Sequence, residues 1–184
     1  MQEELVRQAQ RGDAEAFDSL ARTAGDRCLA IAVRILRDLD LAEDAVQAAL
    51  ITAWTELRAL RDPSRFEPWL QRILTRACFA EARRRKRWYE GPRILPVADA
   101  YGPDDDLTVD DRDLLERAFR RLTVQQRAVL VYHHYLGLSI AQVADRIDIP
   151  VGTAKSRLHH ATRALRASLE ADARTAPPSQ ERMA

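Results

Sequence analysis

The stretch SIAQVADRIDIPVGTAKSRLHHATRALR, residues 139–166, constrains this chain more than any other part of it. It predicts two short helices joined by a tight corner. Ser139 is placed to cap the first helix, which turns Ile140, Val143 and Ala144 inward. Pro150 fits the start of the second, because proline's missing N–H costs nothing in a first helical turn. Ala154, Leu158, Ala161 and Leu165 then recur at steps of 4, 3 and 4, the spacing of one helical face. The opposite face carries Gly152, Ser156, His159 and Arg163, flanked by Lys155 and His160. An apolar face, a hydrogen-bonding cationic face and a sharp corner are what a helix-turn-helix needs to lay its second helix in a major groove. A surface hairpin of two helices with a solvated polar face would leave the same pattern.

The rest of the chain is also helical in pattern. Its 184 residues give room for one medium domain or two small ones. Only 6 glycines among many Ala, Leu, Arg and Glu favour helices, and no alternating strand pattern of useful length occurs. The net charge of +1 hides a partition: residues 1–90 are nearly balanced, 91–113 carry 2 basic and 7 acidic side chains, and 114–170 carry 9 basic and 4 acidic. A basic block behind an acidic connector suits a nucleic-acid module attached to another unit.

In chain order, residues 3–11 predict a short helix ending at Gly12, and Asp13 caps the next. A break is expected near Gly25, followed by Cys28–Leu36 with Leu29, Ala32, Val33 and Leu36 inward. The acidic turn at Asp38–Asp40 caps a helix from Leu41 to Leu60. Its buried stripe is Val46, Ala49, Leu50, Ala53, Leu57 and Leu60, and a second stripe runs Asp44, Gln47, Ala48, Ile51, Thr55. That second face is either solvated or, given Ile51 in its middle, a docking surface. Ser64 is placed to cap a further helix, with Phe66, Trp69, Leu70, Ile73, Ala77 and Ala80 as its core stripe. Alongside run Arg72, Arg76, Phe79, Arg83 and Arg87, leading into RRRKRWY at 83–89. Cations for phosphate and rings for bases suit a strand of nucleic acid. A solvated basic helix end, favoured by the helix dipole, would look alike.

Gly91 to Asp106 contains Pro92, Pro96, Gly102 and Pro103 and the run Asp104–Asp106, and reads as a linker. Helical signal returns near Val109, Thr123 caps a helix ending at Gly137, and residues 171–184 are expected to fray. Cys28 and Cys78 read as buried free thiols. No HExxH, CxxC, nucleophile–base pattern or phosphate-cradling glycine loop occurs, so neither enzyme nor metal site nor cofactor is expected. With no run of 18 apolar residues and a polar N-terminus, a cytoplasmic protein without membrane contact is expected.

Four stretches together resemble a known family. They are residues 5–36, the segment DLAEDAVQAALITAWTEL (40–57), the segment RFEPWLQRILTRACFAEARRRKR (65–87), and residues 121–165. In order and spacing they are similar to bacterial extracytoplasmic-function (ECF) sigma factors of RNA polymerase. The resemblance implies an all-α protein of two small helical domains: domain two at 1–90, an acidic flexible linker at 91–111, helix-turn-helix domain four at 112–170, and a tail at 171–184. It implies binding to core RNA polymerase through Asp44, Gln47 and Ile51. It implies −10 promoter contacts by Ser64, Arg65, Phe66, Arg72, Arg76, Phe79 and Arg83, and −35 contacts by Thr153, Lys155, Ser156, Arg157, His159, His160 and Arg163. Asp104–Asp106 would mimic nucleic-acid charge inside polymerase, and an anti-sigma protein is a common partner in the family. The chain departs from the family pattern at Arg76 and Ala80, where an Asn is frequent. It departs also at Ala48 and Gln142, where Glu is common, and at Thr123, often a Pro. A helix-turn-helix regulator acting without polymerase is the competing reading.

Overall fold

The structure, a computed structural model, describes the backbone of residues 1–89 and 109–175 and the side chains of 1–87 and 114–171. The expected linker at 91–111, with Asp104–Asp106, lies almost wholly outside the described residues. So do the side chains of Trp88 and Tyr89, and the tail beyond 175. Among the described residues the fold is all helical, as the periodicity predicts.

The first unit has four helices: α1 (Gln2–Gln10), α2 (Ala14–Leu36), α3 (Leu39–Glu56) and α4 (Phe66–Tyr89). Gly12 takes a left-handed φ of +99° between α1 and α2, and Asp13 then caps α2 by accepting from the Glu15 and Ala16 amides. The expected break at Gly25 is absent, and α2 runs unbroken for 23 residues. A mid-helix glycine costs about 1 kcal/mol relative to alanine. Leu20 on one side of it, and Cys28, Ile31, Ala32 and Ile35 on the other, all bury in one core, which holds the helix together. Arg37, left-handed at φ 59°, ends α2, and Asp38 caps α3 through the Leu41 amide.

The inward face of α3 is mostly alanine: Ala42, Ala45, Ala49 and Ala53 are buried, at spacings of 3 and 4. Small side chains there let α2 and α4 approach closely. Val46 and Leu50, expected in the core, are only half-buried, one step round the helix. Before α4 the capping side chain is Asp62, on the short 3-10 turn Pro63–Arg65, rather than Ser64. Its carboxylate accepts both the Ser64 amide (3.0 Å) and the Ser64 hydroxyl (2.7 Å), which holds its pKa below the usual range. In α4 the buried residues are Phe66, Leu70, Gln71, Ile73, Leu74, Thr75 and Cys78, whereas Ala80 is exposed. Both cysteines are free and buried, and burial pushes their thiols up, Cys28 to about 11 and Cys78 to about 12.

The second unit has α5 (Val109–Arg120), α6 (Val124–Leu130), α7 (Ile140–Ile147) and α8 (Val151–Thr175). Thr123 and Ser139 each form a reciprocal capping box, with Gln126 and Gln142. After α6 the chain widens into one π turn, Val131–Tyr135, which closes at Gly137 with φ +66°. The corner between α7 and α8 is made by Asp148 at φ 55°, followed by Pro150, whose carbonyl accepts the Ala154 amide.

The two units pack on each other. α6 and the π turn lie against α2, and α6 and α7 lie against α4. Much of this seam is polar and buried. Arg127 donates to the Ile35 carbonyl at the end of α2 (2.6 Å) and to Leu122 and Phe119 carbonyls of its own unit (2.9 and 3.4 Å). Burial lowers its pKa to about 10, so it remains charged near neutral pH. Glu116 bonds Arg37 across the same junction, and burial raises its pKa. The Tyr132 hydroxyl, fully buried, donates to the Gln71 carbonyl (3.1 Å) and lies 2.7 Å from Thr75 Oγ1. Arg146 Nε donates to Gln71 Oε1 (2.9 Å), and the Arg34 guanidinium sits 4.0 Å over the Tyr135 ring.

Candidate nucleic-acid and polymerase interfaces

Three faces collect the residues singled out in the sequence. The first is on α3. Its inward alanines leave Asp44, Gln47, Ala48, Ile51 and Thr55 exposed on the other side, and Ile51 is 59% exposed despite its apolar side chain. Trp54 joins it, partly exposed and stacked on Phe17 with centroids 4.9 Å apart. Sequence reasoning missed Trp54. It falls three residues after Ile51, the helical spacing that would have placed it on the same face. Asp44 bonds Arg84 of α4 at 2.9 Å, but both side chains are more than half exposed, so a competing partner displaces this pair at little cost.

The second face is α4 and the turn before it. Ser64 and Arg65 are exposed. Phe66 is not part of this face: it is 2% exposed, in the core of the first unit. As the first residue of α4 it anchors the helix from inside, so its aromatic ring is a packing group and unavailable to a base. Arg83 is exposed, and Phe79 is half-buried and packs on the core. Arg72 and Arg76, one turn apart, both meet acids at the end of α7: Arg72 bonds Asp145, and Arg76 bonds the capping residue Asp148 at 2.7 Å. Arg65 lies 3.6 Å from the same Asp145. The Arg76 hydrogen bond and charge hold the Asp148 carboxyl below its usual range. The basic stripe read from the sequence is therefore real, but much of it is turned toward the second unit.

The third face is on α8. Ala154 and Ala161 are buried with Leu158 and Leu165 half-buried, so the opposite side points to solvent. It presents Thr153, Lys155, Ser156, His159, His160 and Arg163, all exposed, while Arg157 is half-buried at the edge. The Ser156 hydroxyl donates to the Thr153 carbonyl at 3.1 Å, a local bond easily exchanged for an external acceptor. Arg157, His160 and Arg163 also line a groove between α8 and the start of α6. Cations and hydroxyls projecting from the front of a helix that follows a sharp corner match how such helices meet a major groove.

Among the described residues no group of three or more His, Cys, Asp or Glu side chains stands close enough to hold a metal ion, and no helix is long and apolar enough to cross a membrane.

The chain is similar to known proteins over most of its length. Residues 20–88 match the family model for sigma-70 region 2, and residues 112–165 that for sigma-70 region 4. The chain is 34% identical over 170 residues to the ECF RNA polymerase sigma factor SigL of Mycobacterium tuberculosis, covering 86% of this chain and 94% of that protein. It is 28% identical over 176 residues to the ECF RNA polymerase sigma factor SigW of Bacillus subtilis, covering 89% and 94%. Among solved structures it is similar to the sigma factor RpoE in complex with the anti-sigma factor NepR from Bartonella quintana. That match has a TM-score of 0.68 at 25% identity, over 86% of this chain and 99% of that one. The fold is shared also with CnrH, solved in complex with the cytosolic domain of CnrY (TM-score 0.64, 24% identity, 93% and 98% covered).

Proposed function

This chain belongs to the extracytoplasmic-function sigma factors of RNA polymerase, and from that footing we propose which surface carries each of its tasks. As a sigma factor it binds core RNA polymerase and directs promoter-specific initiation through −10 and −35 recognition. The relatives are sigma factors, which are not enzymes, and no reaction is assigned to its side chains.

The domains divide as residues 1–90 for core docking and −10 recognition, 91–111 as linker, and 112–170 for −35 recognition. On α3, Asp44, Gln47 and Ile51 face core polymerase, with Trp54 extending the apolar part of that patch. Around α4, Ser64, Arg65, Arg72, Arg76, Phe79 and Arg83 serve the −10 element. Phe66 leaves that set as a core residue. On α8, Lys155, Ser156, His159 and His160 reach bases or adjacent phosphates, and Thr153, Arg157 and Arg163 flank them. Capture of a flipped −10 base costs a few kcal/mol of unstacking. Phosphate contacts from the α4 arginines offset that cost and make opening salt-sensitive. The protein works in the cytoplasm, where polymerase and promoter are, and an anti-sigma protein is a further partner, supported by the likeness to RpoE in its complex with NepR.

The observation that carries the reading is the outward hydroxyl–cation face of α8 behind a capped, left-handed corner, on the same chain as the exposed Ile51 patch of α3. Run-off transcription with purified core polymerase on genomic fragments tests it. Addition of the protein is expected to yield discrete start sites preceded by shared −35 and −10 sequences. Tight specific duplex binding without polymerase, and no start sites with it, would favour the regulator reading instead.

A further inference from the structure

We propose that the groove between α8 and the start of α6 is a phosphate seat whose hold depends on the charge of His160, so that this chain grips duplex DNA more tightly as the medium becomes acidic. The proposal rests on the reading of α8 as the −35 helix, and adds to it a backbone contact that a proton controls.

The helix repeat builds the groove. Thr153, Arg157, His160, Ala164 and Ala167 recur on α8 at steps of 4, 3, 4 and 3 and form one wall. Thr123, Gln125 and Gln126, at the start of α6, stand opposite. The space between them is about 840 Å³, room for a phosphate and its water. Among the described residues no acid lines it, whereas the guanidiniums of Arg157 and Arg163 both do. The capping box of α6 adds to this bias. Thr123 Oγ1 accepts the Gln126 amide, and Gln126 Oε1 accepts the Thr123 amide. Those acceptors are spent inside the turn, which leaves the Thr123 hydroxyl hydrogen and the Gln126 Nε2 group as donors for an anion.

Of the groups lining this groove, His160 is the one of a type that changes charge near neutral pH. Guanidiniums keep their protons throughout. A phosphate oxygen beside an imidazole favours the charged ring, and by the same coupling the charged ring favours the phosphate. The added affinity is therefore present at low pH and is lost as pH rises through the value of the DNA-bound ring. The elements around α8 supply no acid to this groove. α8 packs against α5, α6 and α7, and no residue of α5 or α7 lines the groove. Glu116 of α5 is buried on Arg37 and Arg120, and Arg121 meets the Ser168 carbonyl, two turns beyond His160. In α6, Arg127 turns away to the Ile35 carbonyl. Asp145 and Asp148, at the end of α7, are paired with Arg72 and Arg76. On α8 itself the nearest other titratable ring is that of His159, its centroid 5.8 Å away and its side chain on the outer face.

The test is binding of a short fluorescein-labelled DNA duplex of mixed sequence to the full chain, by anisotropy at fixed ionic strength. Phosphate contacts do not depend on sequence, so no promoter is needed. Wild type is expected to bind roughly tenfold more tightly at about pH 6 than at about pH 8, as one hydrogen bond becomes charge-assisted. Its slope of log affinity against log salt should be steeper at the lower pH by about 0.9, one more phosphate neutralised. His160→Gln should stay at the weaker wild-type level throughout, and His160→Arg near the tighter one. His160 is exposed, so neither change disturbs the core. His159→Gln should keep most of the pH dependence. The chain has 4 histidines, so acid raises its overall charge whatever His160 does. That general effect would survive in His160→Gln, and wild-type pH dependence in this variant overturns the proposal. Binding of wild type that does not change with pH overturns it too, as does a pH dependence lost in His159→Gln and kept in His160→Gln. The same proteins are assayed for run-off transcription with core polymerase. Start sites from wild type beside pH-independent DNA binding would sink the phosphate seat and leave the sigma-factor reading standing. The expected pH dependence without any start sites would do the reverse.

Discussion

α4 and α8 are built alike. Each is a long helix, of 24 and 25 residues, with one stripe in a core and a cationic stripe beside it at helical spacing. Their surroundings are opposite. The α8 stripe meets solvent from Thr153 to Arg163, whereas Arg72 and Arg76 of α4 are held by Asp145 and Asp148 of the other domain. Periodicity locates the side of a helix that is not in its own core. It does not say whether water or another domain lies against that side. The contrast bears on the proposed DNA contacts: on α8 the cations face solvent, whereas on α4 Arg72 and Arg76 are paired with acids of the other unit.

The largest expected effect comes from a residue that the sequence grouped with the α4 stripe and the structure removes from it. Phe66→Ala is expected to destabilise the protein by about 3–5 kcal/mol, as truncation of a buried aromatic does. Urea unfolding of the free chain measures this. If Phe66→Ala instead left the unfolding midpoint in place and lowered only −10 promoter affinity, the ring would be a base contact, and the division between core and stripe would fail.

Next is the seam between the units. Arg127→Ala deprives three carbonyls of their donor and leaves Glu116 with one cation fewer nearby. Breaking a buried charged network of this kind costs about 3 kcal/mol. Arg127 is 8% exposed, so solvent does little to soften the loss. Ala substitution of the exposed Arg163 on α8 is expected to shift the urea midpoint hardly at all. Equal shifts for the two would erase the difference between the covered and the open helix.

Much of this architecture was legible in the sequence, and what was not has physical causes. Asp13, Asp38, Thr123 and Ser139 cap where expected, because capping residues act on their own next turn and need no tertiary partner. The two faces of α8 were legible because the helix is amphipathic over its whole first half. Gly25 misled, since a local propensity of about 1 kcal/mol yields to packing on both sides of it. Ser64 misled because Asp62, two residues earlier, offers the stronger acceptor and takes both of Ser64's donors. The seam was invisible. Arg127 and Arg146 counted toward a basic block facing nucleic acid, yet both are buried, Arg127 on carbonyls and Arg146 on the Gln71 amide and the neighbouring Asp145 carboxylate. Nothing in a single sequence distinguishes a buried arginine from a solvated one when an acceptor that buries it, Ile35 for Arg127 and Gln71 for Arg146, lies on a helix dozens of residues away.

Of the exposed face, the sharper test is in specificity. Ser156→Ala and His159→Ala are expected to leave stability unchanged and to alter −35 preference by about 1–3 kcal/mol at the base each one meets. Transcription from promoters varied one −35 base at a time reads this. A uniform loss at every variant promoter would mean these side chains meet phosphates only, which would make α8 and α4 alike in chemistry as well as in pattern.

The smallest effect probes the covered face directly. Asp148 is held below the usual carboxylate range first by the Arg76 hydrogen bond and then by its charge. A carboxyl whose folded pKa is depressed adds stability above its unfolded value, about 3.9, and loses it as pH falls through the folded value. The Arg76–Asp148 pair should therefore help close the domains near neutral pH and stop doing so only in acid below about pH 4. An NMR titration of the Asp148 side chain is expected to show the depressed value in wild type and a return toward the ordinary range in Arg76→Ala. If the Asp148 titration is the same in both proteins, the two groups are not paired in solution, and the α4 stripe is as open as that of α8.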